Sequence, residues 1–327
     1  PVEFWPIDKM ASWATEIGDA FPPVDYWSEI PERHQLRYGK SRRDAYTRGG
    51  MDGVPVDDDV TYTLLGLLIL EDYGPDFSVA DVGAAWLKYL PMACTAEAVA
   101  LANLRKGIPA EEAGSIDNPY CEWIGADIRS DPWGYLAPGW PERAAELAWR
   151  DAFLSHRRNG IYGEMFFAAA ISAAFAVDDP IEALEIGLTE IPADCATARA
   201  VRWALDTASE ITDYKIARET VDREFAGMSG VHTINNACLT IWGLTIGRRD
   251  FTKVISETVA MGLDNDCTAA TAGSLCGAIV GAAGIPQHWT TSFNGKVLTY
   301  MNDQPEFAIG EAVQRFSAQA GRVFGNA

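Results

Sequence analysis

Residues 57–70 read DDDVTYTLLGLLIL, so three adjacent carboxylates stand directly before a segment that is apolar on nearly every face of a helix. A helix without a polar face packs in the interior of a protein. One Asp at its start would serve as an N-cap, because its carboxylate accepts hydrogen bonds from free first-turn amides. Asp57, Asp58 and Asp59 together exceed that need, and their mutual repulsion at a buried helix start requires a counter-charge.

A second acidic cluster lies far along the chain, where Asp264 and Asp266 precede a helical run of small residues over 268–283. Capping explains either cluster alone. If the fold brings the two helix starts together, their carboxylates converge and a cation has to balance them. Oxygen ligands favour Mg²⁺, Ca²⁺ or Mn²⁺ over Zn²⁺, and the EF-hand pattern is absent. We therefore predict a metal-dependent enzyme whose metal ligands are Asp57, Asp58, Asp59, Asp264 and Asp266.

Helical periodicity extends through most of the chain after residue 58, and strand-like alternation is nearly absent. This pattern predicts an all-α fold with too many helices for a four-helix bundle, in a single domain over 1–327. The predicted helices are 60–73, 79–90, 93–105, 141–155, 163–177, 180–191, 196–213, 215–225, 234–246, 251–262, 268–283 and 307–321.

Two regions lack this periodicity: 1–56, which is irregular and partly helical, and 107–140, which is rich in Pro and Trp. Long ordered loops in a helical domain typically form the lids or walls of a site. The first region also carries a basic cluster. We interpret it as a solvated face with local acidic partners, with a lid over an anionic ligand as the alternative. The cluster consists of Arg33, Arg37, Arg42 and Arg43.

Composition limits the class of partner. A formal net charge of -20 at pH 7 argues against a nucleic-acid partner, because such binding depends on Lys and Arg. Gly, Asp or Lys interrupts each apolar stretch before the roughly 20 residues that span a bilayer, so no membrane role is expected. The six cysteines show no C-x-x-C spacing, which predicts reduced thiols in a cytoplasmic protein. Because the chain opens at Pro1, we expect that a leading segment is missing.

Both acidic clusters lie in motifs of a known family. Asp57-Asp58-Asp59-Val60 stands where that family has Thr-Asp-Asp-Thr, and 262–267 stands where it has Gly-Gly-Asp-x-Asp-Thr. Residues 284–289 match its Gly-Ile-Pro-x-x-Trp stretch. On these motifs the chain resembles the ADP-ribosylglycohydrolase family, the all-α hydrolases typified by the dinitrogenase reductase-activating glycohydrolase. The resemblance implies that family's compact, orthogonal multi-helix bundle.

Looser matches extend the resemblance. The family's phosphate-and-ribose loop, Gly-small-x-Met-Arg, is similar to residues 125–129, and its Thr-His is similar to Ser155-His156. The Glu of the family's first helix is matched by Glu3, so we expect the segment of that helix before Glu3 to be missing. The resemblance therefore implies substrate contacts by Gly125, Ala126, Arg129 and His156.

The resemblance also implies a reaction. It is hydrolysis of a ribosyl glycosidic bond in an ADP-ribosylated small molecule or protein, with one or two Mg²⁺ ions that Mn²⁺ can replace. A carboxylate would take the proton from the attacking water, and Glu3 would gate the metal or relay the proton. The implied catalytic residues are Asp58, Asp59, Asp266 and Glu3. The leaving group stays open.

Three departures from the family pattern leave alternatives open. Asp57 and Cys267 stand where the family has hydroxyl side chains, so a centre with a single metal ion is an alternative to one with two. Asp127, in the loop that resembles the phosphate loop, would repel a pyrophosphate if it faced inward. A small N-riboside, an NAD-derived metabolite, or ADP-ribose bound without turnover are therefore alternative ligands.

Terpene-synthase-like chemistry is a further alternative, because that fold is also all-α and organised by acidic Mg²⁺ motifs. Thr61 stands where its first motif needs an acidic residue, and Ala269 and Gly273 occupy ligand positions of its second. The sequence therefore disfavours it.

Overall fold

The computed structural model describes residues 2–325; Pro1, on which the expectation of a missing leading segment rests, lies outside them, as do 326–327. The helices are α1 (Ile7–Ile17), α2 (Asp58–Tyr73), α3 (Val79–Tyr89), α4 (Thr95–Arg105), α5 (Ala110–Ala113), α6 (Ser130–Leu136), α7 (Pro141–Ala152), α8 (Asn159–Ala174), α9 (Pro180–Thr189), α10 (Ala196–Asp206), α11 (Tyr214–Glu224), α12 (Thr233–Gly247), α13 (Phe251–Met261), α14 (Asn265–Gly284) and α15 (Ile309–Gly325). Two short antiparallel ladders pair β1 (Leu36–Arg37) with β2 (Ser41–Arg42) and β3 (Lys296–Leu298) with β4 (Glu306–Ala308). The predicted all-α class is confirmed.

Helix α2 lies in the interior, as its lack of a polar face predicts. Leu65, Ile69 and Leu70 are each at most 1% exposed, and burial of one such side chain contributes about 1.5–3 kcal/mol. Gly66 allows α6 to approach closely, because an added Cβ would lie 2.5 Å from the ring of Pro132. Packing along the whole length of α2 therefore fixes the position of its first residues.

The apolar side chains form two large cores. The first core packs α2 and α3 around Trp86 and Trp133, and the second core packs α8, α10 and α12 around Trp242. Helix α14 contributes Leu275 and Cys276 to the second core. The first acidic cluster thus starts a helix of the first core, whereas the second starts a helix that packs mainly into the second core and contributes Cys267 to the first.

Each predicted helix corresponds to an observed one, but some boundaries were wrong. The helix predicted over 196–213 ends at Asp206, where the Thr207 hydroxyl donates to the Trp203 carbonyl, 2.7 Å away. Asp213 instead caps α11, accepting from the amide of Lys215. Phe307, predicted to begin the last helix, lies in β4. Helices α5 and α6 were not predicted because they lie in the irregular region 107–140.

The N-terminal region reaches the second acidic cluster. It contains α1 and the β1–β2 hairpin, in keeping with the expected partly helical character. The amide of Phe4 donates to the Leu263 carbonyl over 3.1 Å, directly before α14. Glu3 is thereby brought to the start of that helix.

Helix α14 is long enough and apolar enough to cross a bilayer, contrary to the sequence expectation that no stretch qualifies. A single such helix is weak evidence for a membrane span, because core helices of soluble proteins can be equally long and apolar. This helix begins with Asn265 and Asp266 and packs against α13 and α12. All six cysteines carry free thiols.

Candidate functional site

The first acidic cluster is held by the start of α2. Asp57 is the N-cap residue, with an extended backbone and a side chain that accepts from the Asp59 amide. Its carbonyl accepts from the Thr61 amide, 3.1 Å away, and from the Thr61 hydroxyl, 2.5 Å away. Asp57 Oδ1 therefore caps the helix, which leaves the other Asp57 oxygen and the carboxylates of Asp58 and Asp59 for another role.

The turn before α14 positions the carboxylates of the second acidic cluster. Gly262 and Leu263 have φ values of 72° and 58°, in the left-handed region. The turn places Asp264 at the N-cap, where its carboxylate makes no capping hydrogen bond. Its carboxylate and that of Asp266 are therefore free of the usual helix-start contacts, and both line the cavity described below.

The structure brings the two clusters together. The thiol of Cys267 lies 3.9 Å from a carboxylate oxygen of Asp59 and donates a long hydrogen bond to it. Within each cluster, three potential ligand atoms lie within 4.8 Å of one another. These atoms belong to Asp57, Asp58 and Asp59 in the first cluster, and to Asp264, Asp266 and Cys267 in the second.

The unpaired oxygens of these clusters fit a hard cation. Asp59, Asp264 and Asp266 each bury one carboxylate oxygen that has no hydrogen-bond partner among the protein groups. Such oxygens are costly to bury unless something pairs with them. An all-oxygen set suits Mg²⁺ or Mn²⁺, whereas the Cys267 thiol is a poor ligand for either ion. Cys267 therefore belongs to this site as a donor to Asp59.

Burial and repulsion raise the pKa values of the carboxyl groups. Burial, with repulsion from Asp58, raises the pKa of Asp57 to about 7. Burial, with repulsion from Asp266, raises the pKa of Asp264 to about 9. The pKa of Asp59 lies well above its usual range for the same first reason, with repulsion from Asp57 next. Without a cation, the site therefore holds protons near neutral pH.

Two residues of the β1–β2 hairpin also reach the carboxylates. Arg37 Nη2 lies 3.1 Å from Glu3 Oε2 and 3.8 Å from Asp266 Oδ2. The hydroxyl of Tyr38 donates to Asp58 Oδ1 over 2.5 Å. The interpretation of the basic cluster as a solvated face is therefore wrong for Arg37. It suits Arg33 and Arg42, which are more than half exposed and pair with Asp44.

A cavity of about 330 Å³ opens beside the acidic clusters. Asp58, Asp264 and Asp266 form one wall, and the 3₁₀ segment Ile124–Arg129 contributes Ile124, Gly125 and Ile128 to another. Glu3, for which the resemblance implies a catalytic role, also lines the cavity.

Glu97 is a cavity residue that the sequence did not single out. It lies in the first turn of α4, where an acidic residue looks like an ordinary helix-start charge. Its Oε1 accepts from Arg129 Nη1 over 2.8 Å, and burial raises its pKa to about 7. Gly125 is pressed against it, because an added Cβ would lie 2.3 Å from Oε1. Glu97 is therefore a second, separately held acid in the cavity.

Arg129, predicted to contact substrate, does not line the cavity. It is 1% exposed and pairs with three buried carboxylates. Its distances to Glu97, Asp151 and Glu164 are 2.8, 2.6 and 3.4 Å. In this structure the guanidinium is an internal counter-charge that is enclosed by carboxylates.

Ala126 and Asp127 of the loop that resembles the phosphate loop, and His156, also face the interior. Ala126 and His156 are fully buried, and the His156 ring bonds the Ser155 hydroxyl, 2.8 Å away. Burial lowers the pKa of His156 well below its usual range, so the ring is neutral. Asp127 accepts from the Thr233 hydroxyl over 2.7 Å and turns away from the cavity. The expected repulsion of a pyrophosphate by Asp127 therefore does not arise, and Gly125 is the one predicted substrate residue in the cavity wall.

Comparison with known proteins identifies the family and the fold. A model of the ADP-ribosylglycohydrolase family matches residues 9–317. A solved structure described as an ADP-ribosylglycohydrolase-related protein complex superposes with a TM-score of 0.60 at 20% identity, covering 96% of each chain, and thus shares the fold. No match is found among curated protein sequences. Because the family model spans nearly the whole chain, this protein belongs to the ADP-ribosylglycohydrolase family.

Proposed function

We propose that this protein is a metal-dependent hydrolase that cleaves the ribosyl glycosidic bond of an ADP-ribosylated substrate. Membership of the family implies glycohydrolase chemistry on ADP-ribose-type compounds. The observation that supports the metal dependence is that Asp59, Asp264 and Asp266 each bury an unpaired oxygen, at two helix starts that meet where Cys267 contacts Asp59. An ion there would offset the repulsion that remains among the carboxylates without an ion pair.

A bound Mg²⁺ or Mn²⁺ would orient ribose hydroxyls and polarise the attacking water. The carboxylates of Asp58 and Asp266 line the cavity and would take the proton from that water. Glu97 lies in the same cavity, and its pKa, raised to about 7 by burial, suits a group that gives a proton to the leaving atom. The proposed acid, Glu97, is thus held by Arg129, whereas the proposed bases, Asp58 and Asp266, belong to the acidic clusters.

A second candidate substrate class is a riboside without a pyrophosphate. Arg37 is the one basic side chain among the described residues that line the cavity, and it already pairs with Glu3. Arg129, the predicted phosphate contact, is enclosed by carboxylates. A pyrophosphate would therefore meet little positive charge in this cavity, whereas a neutral N-riboside would need none.

Chromatographic detection of released ADP-ribose or ribose would test both candidates. ADP-ribosyl peptides linked through arginine or serine and a panel of N-ribosides would be incubated with Mg²⁺, with Mn²⁺ and with a chelator. Release from the peptides only with an added ion is the expected result. Release from N-ribosides alone would favour the second candidate, and undiminished release after chelation would rule out the metal.

Metal affinity should increase with pH. A ligand carboxyl must lose its proton to bind a cation, and burial raises the pKa of Asp57 to about 7 and that of Asp264 to about 9. Protons therefore compete with the ion below these values, and the competition ends as pH rises through them. We expect calorimetric titration to give at least about tenfold tighter Mn²⁺ binding at pH 8 than at pH 6. An affinity independent of pH would contradict ligation by these groups.

Gly125→Ala should reduce turnover without unfolding the protein. The added Cβ would meet both Glu97 oxygens, at 2.3 and 2.7 Å, and Arg129 restricts how far that carboxylate can move. A displacement of about 1 Å in a reacting group costs about 100-fold in rate. Steady-state kinetics on the best substrate would measure the loss. Gly310→Ala is the control, because a Cβ there meets nothing within 4 Å. Unchanged kinetics in Gly125→Ala would remove Glu97 from the reaction.

A further inference from the structure

The Arg37 guanidinium occupies one side of the acidic site. Its Nη2 atom lies 3.1 Å from Glu3 Oε2 and 3.8 Å from Asp266 Oδ2. Its side chain is 20% exposed, so solvent screens this contact only in part. A carboxylate whose oxygens already pair with a fixed guanidinium binds a metal ion more weakly at those oxygens.

The hairpin fixes this position from several directions. The guanidinium lies over the rings of Tyr38 and Tyr46, 5.4 and 5.7 Å from their centroids. Tyr38 stacks on Tyr300 with centroids 5.5 Å apart, and its hydroxyl donates to Asp58. Moving Arg37 away would break aromatic and hydrogen-bond contacts together. These contacts therefore hold the Arg37 side chain in a fixed position at the acidic site.

The charge of the site is divided accordingly. Asp57, Asp58, Asp59 and Asp264 have no ion pair among the described residues, whereas Glu3 and Asp266 share Arg37. A divalent ion beside Glu3 and Asp266 would lie within a few ångströms of the guanidinium and be repelled by it. The remaining carboxylates have no such obstacle.

We infer that Arg37 takes the place of a second divalent cation, so that the site binds one ion per chain. This inference rests on the metal centre of the proposed function. It assigns Arg37 as a positioning residue that holds Glu3 and Asp266 while Asp59 and Asp264 bind the ion. Removal of the guanidinium should open a second, weaker ion site.

Mn²⁺ titration of the purified full chain tests the inference by calorimetry and by paramagnetic resonance. We expect one Mn²⁺ per chain with an isolated-ion spectrum for the wild type. Arg37→Met and Arg37→Gln should each bind two, with the spectrum of a coupled pair. Arg42→Met is the matched control, because Arg42 lies on the same hairpin, pairs with Asp44 outside the acidic site, and should leave the count at one.

Two coupled ions in the wild type would overturn the inference while leaving the proposed metal centre intact. An unchanged count of one in both Arg37 variants, with helical circular dichroism retained, would overturn it too. If neither variant folds, the wild-type spectrum still decides between one ion and two. No Mn²⁺ binding in the wild type would reject both the inference and the metal centre, which separates that failure from the others.

Discussion

Asp58→Asn and Asp266→Asn should each lose about 100- to 10,000-fold in turnover, the range expected when a proton-accepting carboxylate is removed. Both carboxylates line the cavity, and each is brought there by a different helix start. Asparagine keeps the size of the side chain, and at residue 58 its oxygen still accepts from Tyr38. The loss would therefore come from the missing charge. Steady-state kinetics together with Mn²⁺ titration measures it.

Asp52→Asn is the matched control for these variants. Asp52 is also an aspartate before α2, but its side chain is 73% exposed and it pairs with Lys296 at the surface. Its replacement should leave turnover and Mn²⁺ binding at the wild-type level. Full activity in Asp58→Asn or in Asp266→Asn would exclude that residue from the reaction, and weak turnover with intact Mn²⁺ binding would limit it to proton transfer.

Arg129→Met should lower the free energy of unfolding by about 3–5 kcal/mol, the usual cost of leaving a buried charge without its partner. The guanidinium is the shared partner of Glu97, Asp151 and Glu164, all at most 3% exposed. Its removal leaves three carboxyl groups close together with no counter-charge. Urea unfolding followed by circular dichroism measures the change.

The defect of Arg129→Met should shrink in acid. Burial already raises the pKa of Glu97 to about 7 and that of Glu164 well above its usual range. An acid whose folded pKa is raised favours the folded state below that pKa and loses this contribution as pH rises through it. The variant should therefore be closest to wild type near pH 5. Arg249→Met is the surface control, and its half-exposed pair with Asp178 should cost less than about 1 kcal/mol. An equally small cost for Arg129→Met would mean that the cluster is already neutral.

The helices could be predicted because each follows from local sequence. An apolar segment such as 60–73 is stable only as a helix in the protein interior. Asp or Pro at the start of the next helix marks the boundary. Errors arose at helix ends: at Thr207 a local side-chain bond to the Trp203 carbonyl accompanies the end of the helix, and at Phe307 pairing with β3 replaces the predicted helix start.

The acidic clusters could be predicted because they break a local rule. A buried helix gains nothing from three carboxylates at its start, so Asp57, Asp58 and Asp59 indicated a site. Glu97 gave no such signal, since it resembles a routine first-turn acid, and Arg37 was named only as one member of a basic cluster. Arg129 was misassigned because its three partners come from α4, α7 and α8, and no sequence pattern reveals that they converge.

The division of the interior into two cores has a consequence for folding. The first acidic cluster starts α2, the central helix of the first core, and the second starts α14, which packs into the second. A cation shared by both clusters would therefore be a cross-link between two halves of the interior, in addition to the packing of α8 against α6 and α7. Metal-loaded chains should unfold in one cooperative transition, and stripped chains should have a broader transition, because repulsion between the helix starts uncouples the halves.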